Sequence, residues 1–371
     1  MVRRNRAMVL AYADDLRLFA TPARRLGLVA IGVAYLVLPR FVLDDFWANV
    51  LALAGVTAIG ALGLNLLTGY TGQVSLGHAA FIGLGAFTGS YLGRSADLGG
   101  KEMPLLVYLL AALVIGGLVG FVVGLPALRL RGNYLVIVTL GLIFIALYVW
   151  KKWTTVSGGN AGTSMPATAR IWHFDFLDLT VLGEPLGAKR SLFYLVWALV
   201  GLVALVVKNI VRTRPGRALQ AVRDRDVAAE VIGVSIFRSK VGAFVVSSAI
   251  ASLAGALYGL YLGYLTPSEE ALGLALSIQF LAIIVVGGIG TIYGVIVGAV
   301  LVGSMPAVID RFADSIPFVT TSPSEAGISK GALEAGLYAL LIIVFLVVEP
   351  RGIAGIWQRI RAYFRSWPFS H

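Results

Sequence analysis

The chain has 371 residues, 58% of them hydrophobic and only 13% charged. Soluble domains carry about 25% charged residues, so a soluble enzyme of this length is excluded, and the lack of alternating strand patterns excludes a membrane β-barrel. The absence of cysteine rules out disulfides and thiolate metal sites, three scattered histidines (His78, His173, His371) argue against a metal centre, and the net charge of +11 reads as membrane topology rather than nucleic-acid binding.

In chain order, residues 1–25 form a basic segment containing Arg3, Arg4, Arg6, Arg17, Arg24 and Arg25. It is too long for the leader of a removable signal, and no small-residue cleavage site follows. Apolar runs of about 20 residues, the length that crosses a ~30 Å hydrocarbon core, then predict an all-α polytopic bundle of about ten spans. They lie near Leu26–Val42, Ala48–Leu67, Val74–Leu92, Leu105–Leu128, Tyr134–Trp150, Leu192–Val207, Val241–Leu262, Leu274–Gly288, Thr291–Val308 and Ala332–Val348. The membrane body is thus 26–349, followed by a basic tail over 350–371. Two connections are long. Residues 151–191 mix Gly, Asn, Thr and aromatics and predict a small structured cap, whereas 208–240 hold the densest charge in the chain. The stretch Arg311–Lys330 reads as a plain polar loop.

An even number of spans puts both termini on one side. If that side is the cytoplasm, it also holds Arg129 and Arg131, then Lys208, Arg212, Arg214, Arg217, Arg223, Arg225, Arg238 and Lys240, and the tail residues Arg351, Arg359, Arg361 and Arg365. Cytoplasmic loops are the ones enriched in Lys and Arg, so both termini are expected inside. No Lys or Arg falls within the interior of any span, Arg40 lying two residues from the end of the first. Asp310 and Glu349 lie at span ends, and Glu334 sits inside the last span, close to its outer end. Ionisable groups in lipid are costly and kept for function, so their scarcity argues against a proton-driven carrier.

Glycines recur every four residues at Gly116, Gly120 and Gly124, and again at Gly290, Gly294 and Gly298. Such ridges let helices approach closely in lipid; they serve tight packing or allow helices to slide between two states. The segment Gly69–Phe81 places Gln73, Ser75, Gly77 and His78 where the chain turns back into the membrane. Irregular backbone at depth is tolerated only against protein or a watery cavity. These four residues therefore mark either a hydrogen-bonded clamp between helices or part of a translocation path.

Between the sixth and seventh spans, Arg214–Asp224 reads as one short helix with Pro215 in its first turn. A second follows, with Asp226 as its N-cap and Gly233 as the left-handed residue that ends it. This charged elbow either packs its small residues or docks a cytoplasmic partner. No Walker-type G-x-x-x-x-G-K-[ST] occurs, so the chain does not bind nucleotide through a P-loop.

The run Val227-Ala228-Ala229-Glu230-Val231-Ile232-Gly233 resembles the E-A-A-x-x-x-G coupling loop of ABC importer permeases, with Val227 in place of the leading Glu and Asp226 and Glu230 as the nearby acids. Gly72–Phe81, Leu130–Gly141, Ser157–Gly162 and Val286–Gly294 are similar, in order and spacing, to signatures of the branched-chain amino-acid permease family, specifically its LivM branch. The resemblance covers about 70–340 and implies a non-enzymatic permease subunit in the cell (inner) membrane, embedded in the lipid bilayer and binding no nucleic acid. It implies a LivH-like second permease, two ATPases (LivG- and LivF-like) and an extracytoplasmic substrate-binding protein. ATP and Mg would be bound on the ATPase chains, with no cofactor here. Arg217, Arg223, Asp226, Ala228, Ala229, Glu230 and Gly233 would form the contact through which ATP-driven closure moves the pore. Two other functions stay open: a permease of the same family for urea, short amides or other small amino acids, and an autonomous channel or secondary carrier.

Overall fold

Asp45–Thr71 (α2) carries small and apolar residues on every side, and a helix with no polar face belongs in the interior. In the computed structural model it is buried almost along its whole length. The structure describes residues 22–94, 103–127, 134–165, 187–312 and 328–366, with two-residue strands at 170–171, 174–175, 180–181, 184–185 and 319–320. Residues 1–44 form a unit of their own, in which helix α1 (Pro22–Val37) passes into a π-helical turn over Leu38–Val42. The helix thus begins four residues before the expected boundary at 26.

The second unit, 45–371, is the bundle. After α2 come α3 (His78–Gly93), α4 (Leu105–Ala127), α5 (Tyr134–Lys152) and the short α6 (Thr154–Ser157). The long α7 (Ala188–Arg212) is followed by the elbow helices α8 (Arg214–Asp224) and α9 (Asp226–Val231), then α10 (Ile236–Leu262). The remainder is α11 (Glu269–Leu272), α12 (Leu274–Gly287), α13 (Ile292–Gly303), α14 (Met305–Phe312), α15 (Lys330–Val348) and α16 (Gly352–Ser366). Helices α2 and α10 form the centre. α10 packs on α2, α3 and α4, while α2 also holds α7 and α13. The outer helices α4, α5 and α15 turn residues such as Leu110, Leu118, Phe144, Ile145, Ile343 and Val347 outward. That exposed apolar belt is what a membrane-embedded bundle requires and what a soluble protein avoids.

Among the described residues, eight helices are long and apolar enough to cross a membrane. The two expected spans that fall short are the first, which lies in α1 and its π-helical turn, and the third. Expected to begin at Val74, the third becomes helical only at His78 and runs 16 residues. Its first residues are held in a non-helical path by bonds described below. The loop 151–191 is a structured cap where it is described: α6, a 3-10 turn over Gly159–Ala161, and Thr163–Ser164 paired antiparallel with Tyr264–Leu265. Most of the loop between Arg311 and Lys330, and the basic residues Arg129 and Arg131, lie outside the described residues. The tail expected over 350–371 is helical through α16, and packs back on α12 and α13.

Candidate functional site

One end of the bundle gathers the last turn of α2, the elbow, the turn between α12 and α13, and the start of α16. The elbow forms because Pro215 fits the first turn of α8, while Gly216, Leu219 and Val222 are the residues it buries. α8 rests on α2, α7 and α10. Arg223 fastens it: Nη1 donates to the carbonyl of Gly69 at 2.9 Å, and Nε donates to Asp224 Oδ1 at 3.0 Å. The guanidinium stem lies over Gly72, where a Cβ would sit 3.1 Å from Arg223 Cγ and where φ is +70°. Only glycine suits that position on both counts.

The second elbow helix starts one residue earlier than expected. Arg225 is the N-cap and Asp226 is the first helical residue, its Oδ1 accepting from the Val227 N–H at 2.9 Å. A carboxylate there still complements the helix dipole. Ala229 is buried, while Ala228 and Glu230 face outward. Gly233 has φ +86° and open space around it, and the N–H groups of Gly233 and Val234 close the helix on the carbonyls of Glu230 and Ala229. Arg217 donates to the Arg212 carbonyl at 3.3 Å. The result is an elbow bolted to the bundle on its inner side and apolar on its outer side, where Val227, Val231 and Ile232 are each more than two-thirds exposed.

Asn65 is a residue that sequence reasoning passed over. It is fully buried on α2; its Oδ1 accepts from the Gly290 N–H at 2.8 Å and its Nδ2 donates to the Thr291 carbonyl at 3.3 Å. The signal was available as a lone Asn in an apolar run. Its two arms pin the Gly288–Thr291 turn to α2 beside the carbonyl that Arg223 holds. On the other side of that turn, Tyr293 Oη donates to the Ala354 carbonyl at 3.3 Å, and Arg359 pairs with the buried carboxylate of Glu349.

The expected path residues lie deeper. Residues 72–77 run back along α2, and His78 reaches the carbonyl of Gly60, Nε2 to oxygen 2.8 Å. A carbonyl only accepts, so Nε2 carries the proton. The ring also packs edge-on against Phe280, with centroids 5.0 Å apart. Gly60 stands 11 residues before the end of α2, about 16 Å at helical rise, so α3 starts well inside the bundle. The irregular backbone is satisfied by side chains. Leu76 N–H donates to Thr139 Oγ1 at 3.1 Å, Ala79 N–H to Ser277 Oγ at 3.0 Å, and Gly77 N–H to Ser75 Oγ at 3.3 Å. Gly77 lies so close to the Thr139 carbonyl that a Cβ would approach it to 2.8 Å. Gln73 is the exception. Its amide is buried, and neither Oε1 nor Nε2 has a partner among the described residues.

The glycine ridges divide. A Cβ at Gly116 or Gly120 would overlap Ser252 or Ser248 of α10, so these two seat α4 on the central helix. Gly124 is buried on the same helix. Gly294 and Gly298 press α13 against Gly287 and Ile283 of α12. Gly290 does not belong to that ridge. It lies in the turn before α13, with φ +78°, because the chain becomes helical only at Ile292. Gly85 and Gly255, not singled out from the sequence, make the closest approach, each facing backbone of the opposite helix where α3 crosses α10.

Comparison with known proteins agrees with this arrangement. Residues 46–347 match the family described as branched-chain amino acid transport system / permease component. The chain is 32% identical to the high-affinity branched-chain amino acid transport system permease protein LivM of Escherichia coli K12, over 76% of this chain and 68% of that one. It is 26% identical to the probable LivM of Methanocaldococcus jannaschii, over 83% and 93% of the two chains. The ribose import permease RbsC of Escherichia coli K12 is 27% identical over 74% of this chain and 81% of its own. No solved structure matches. A multi-pass helical bundle whose matched region runs from the first residues of α2 to the end of α15 thus belongs to the branched-chain amino-acid transport permease family, as a chain of LivM type.

Proposed function

We propose that this chain is one of two permease subunits of an ATP-driven importer for branched-chain or related aliphatic amino acids. It sits in the cell (inner) membrane with both termini in the cytoplasm and lines the path together with a LivH-like permease. Two ATPases of LivG and LivF type bind ATP and Mg and do the hydrolysis, and an extracytoplasmic binding protein delivers the cargo. The observation that carries this reading is the elbow. Val227, Val231 and Ile232 offer an apolar docking face, while Arg223 on its inner side grips the end of the central helix.

In this mechanism the ATPases bias the elbow between two positions, and the bundle follows because Arg223, Gly69, Asn65 and the Gly288–Thr291 turn are joined by hydrogen bonds. The ligand-driven event is then a shift between two packed states. Gln73, Ser75, Gly77 and His78 mark the broken segment along the route, and the glycine ridges provide the close helix contacts that such a shift rearranges.

The test is reconstitution of the chain with its partner subunits in liposomes. Uptake of leucine should require ATP and all partners. Glu230→Arg and Gly233→Val should leave insertion and ATP hydrolysis in place while uptake falls. Normal uptake in both variants, or uphill uptake by the isolated chain, defeats the proposal. Because a relative imports ribose, the same preparation should be offered sugars, urea and short amides; preference for one of these would reassign the cargo.

A further inference from the structure

The elbow occupies the start of α10; a cleft of about 550 Å³ opens at the opposite end of that helix. Such a volume lies within the range of small-molecule sites, roughly 300–1,000 Å³. Its polar lining comes from Tyr258, Glu269, Glu270, Gln279, Glu334 and Tyr338, and among the described residues no Lys or Arg contributes to it. The importer reading uses none of these residues.

Three observations converge on it. Glu334 makes no ion pair among the described residues, and Lys330, one turn before it on α15, is held by Asp310 at 3.1 Å. Tyr338, one turn beyond Glu334, is only 3% exposed and its hydroxyl has no partner among the described residues. Buried hydroxyls nearly always have one. Thirdly, α12 begins at this wall. It starts at Leu274 after Gly273, without a side-chain cap, and runs only 14 residues, about 21 Å. Its first turn, Leu274–Leu276, lines the cleft. The N–H groups of a first turn have no intrahelical acceptor and carry the positive end of the helix dipole. A helix start of this kind can present that end to an anionic group.

From this juxtaposition we infer that the cleft is a binding site for a zwitterionic aliphatic α-amino acid. The ammonium pairs with Glu334, and the carboxylate meets the N-terminus of α12 with the Tyr338 hydroxyl donating to it. The side chain lies on the apolar wall of Leu274, Leu276 and Ala335. The three carboxylates do not come together as a metal-binding group among the described residues. An amine alone would leave the helix end unused, and a carboxylic acid alone would face Glu334 with like charge. The site rests on the importer reading and adds where, on this chain, the cargo stops.

The chain has no cysteine, so Ala335→Cys gives the full-length protein one thiol, on the cleft wall. Maleimide labelling of that thiol in membranes is the readout, with L-leucine, 3-methylbutylamine and 4-methylpentanoate as probes. Ligand at ten times its Kd fills about nine sites in ten and slows labelling about tenfold. L-Leucine should protect, the amine should protect less, and 4-methylpentanoate should not protect. Adding Glu334→Gln removes a charged partner and should raise the leucine concentration needed by about tenfold or more. Lys189→Cys, exposed and outside the cleft, should label at the same rate with or without leucine in both backgrounds, which reports an intact fold. Absence of leucine protection at Ala335→Cys, equal protection by 4-methylpentanoate, or protection unchanged by Glu334→Gln overturns the site. ATP-driven uptake by the unmodified chain with its partners is scored separately. Uptake without protection overturns this site alone, and protection without uptake overturns the importer reading alone.

Discussion

The two ends of the bundle treat their polar groups in opposite ways. At the elbow, polar groups are used to hold backbone: both arms of Asn65 grip the Gly290–Thr291 turn, Arg223 holds Gly69, Thr291 Oγ1 donates to the Gly288 carbonyl at 2.7 Å, and Glu349 pairs with Arg359. At the cleft, Glu334 lacks an ion pair and the buried Tyr338 hydroxyl is unbonded among the described residues. An apolar protein has little reason to bury a polar group it does not bond, since each one costs about 1–3 kcal/mol. The first end is therefore suited to transmitting a displacement as one body. The second leaves its groups available to a guest.

The largest expected effect comes from breaking the bonded end at its deepest point. Asn65→Leu removes both hydrogen bonds and leaves the half-buried Gly290 N–H without its acceptor, which should lower stability by about 2 kcal/mol. Glu334→Leu at the other end removes an unpaired carboxylate and should leave stability unchanged or raised. Thermal unfolding of the two variants in detergent, side by side, checks the contrast. Equal losses would mean that the cleft is bonded as fully as the elbow.

A smaller effect on stability, but a large one on coupling, is expected at Arg223. The guanidinium is about 40% exposed, so its loss is screened by water and Arg223→Ala should cost little in unfolding. It is nevertheless the direct side-chain bond between α8 and the backbone of α2. Uptake by the reconstituted importer should fall about tenfold, by analogy with other lost charge-assisted hydrogen bonds, while ATP hydrolysis continues. Arg223→Lys should recover only part of it, because a point-like ammonium cannot reproduce a planar fork that bonds Gly69 and Asp224 together. The quantity to measure is ATP hydrolysed per leucine moved.

Much of this arrangement was legible in the residue order, because apolar length and glycine spacing are local properties. Among the described residues, membrane-length helices cover eight of the ten runs read as spans, the elbow helices begin and end within one residue of their expected limits, and Gly116 and Gly120 face α10 as a four-residue repeat should. What was not legible depends on distant partners. Asn65 draws its meaning from a turn 225 residues away, and the late start of α3 from Thr139 on a different helix. The spacing that reads correctly at Gly294 and Gly298 misleads at Gly290, since a repeat of four persists through a turn that is not helical. Glu334 was visible as an acid in a span, but neither the unbonded Tyr338 hydroxyl beside it nor the uncapped start of α12 can be seen without the fold.

Gln73 sharpens the comparison most finely, because it breaks the rule of its own end. It lies beside the bonded elbow, yet its amide is buried and unpartnered among the described residues, whereas His78, five residues on, is bonded to Gly60 and packed edge-on against Phe280. Replacing the amide by an apolar side chain of similar size removes an unmet desolvation cost and adds hydrophobic burial, each on the order of 1 kcal/mol. Gln73→Leu should therefore unfold at the same temperature as the unmodified chain or slightly higher. His78→Ala forfeits a hydrogen bond and an aromatic contact and should unfold earlier. If the amide meets the cargo as it passes, Gln73→Leu lowers leucine uptake although the protein is no less stable, and complex yield is unchanged. A Gln73→Leu variant that loses stability and yield together with uptake would place the amide among the clamping groups of the elbow end, and the contrast between the two ends would then have no exception.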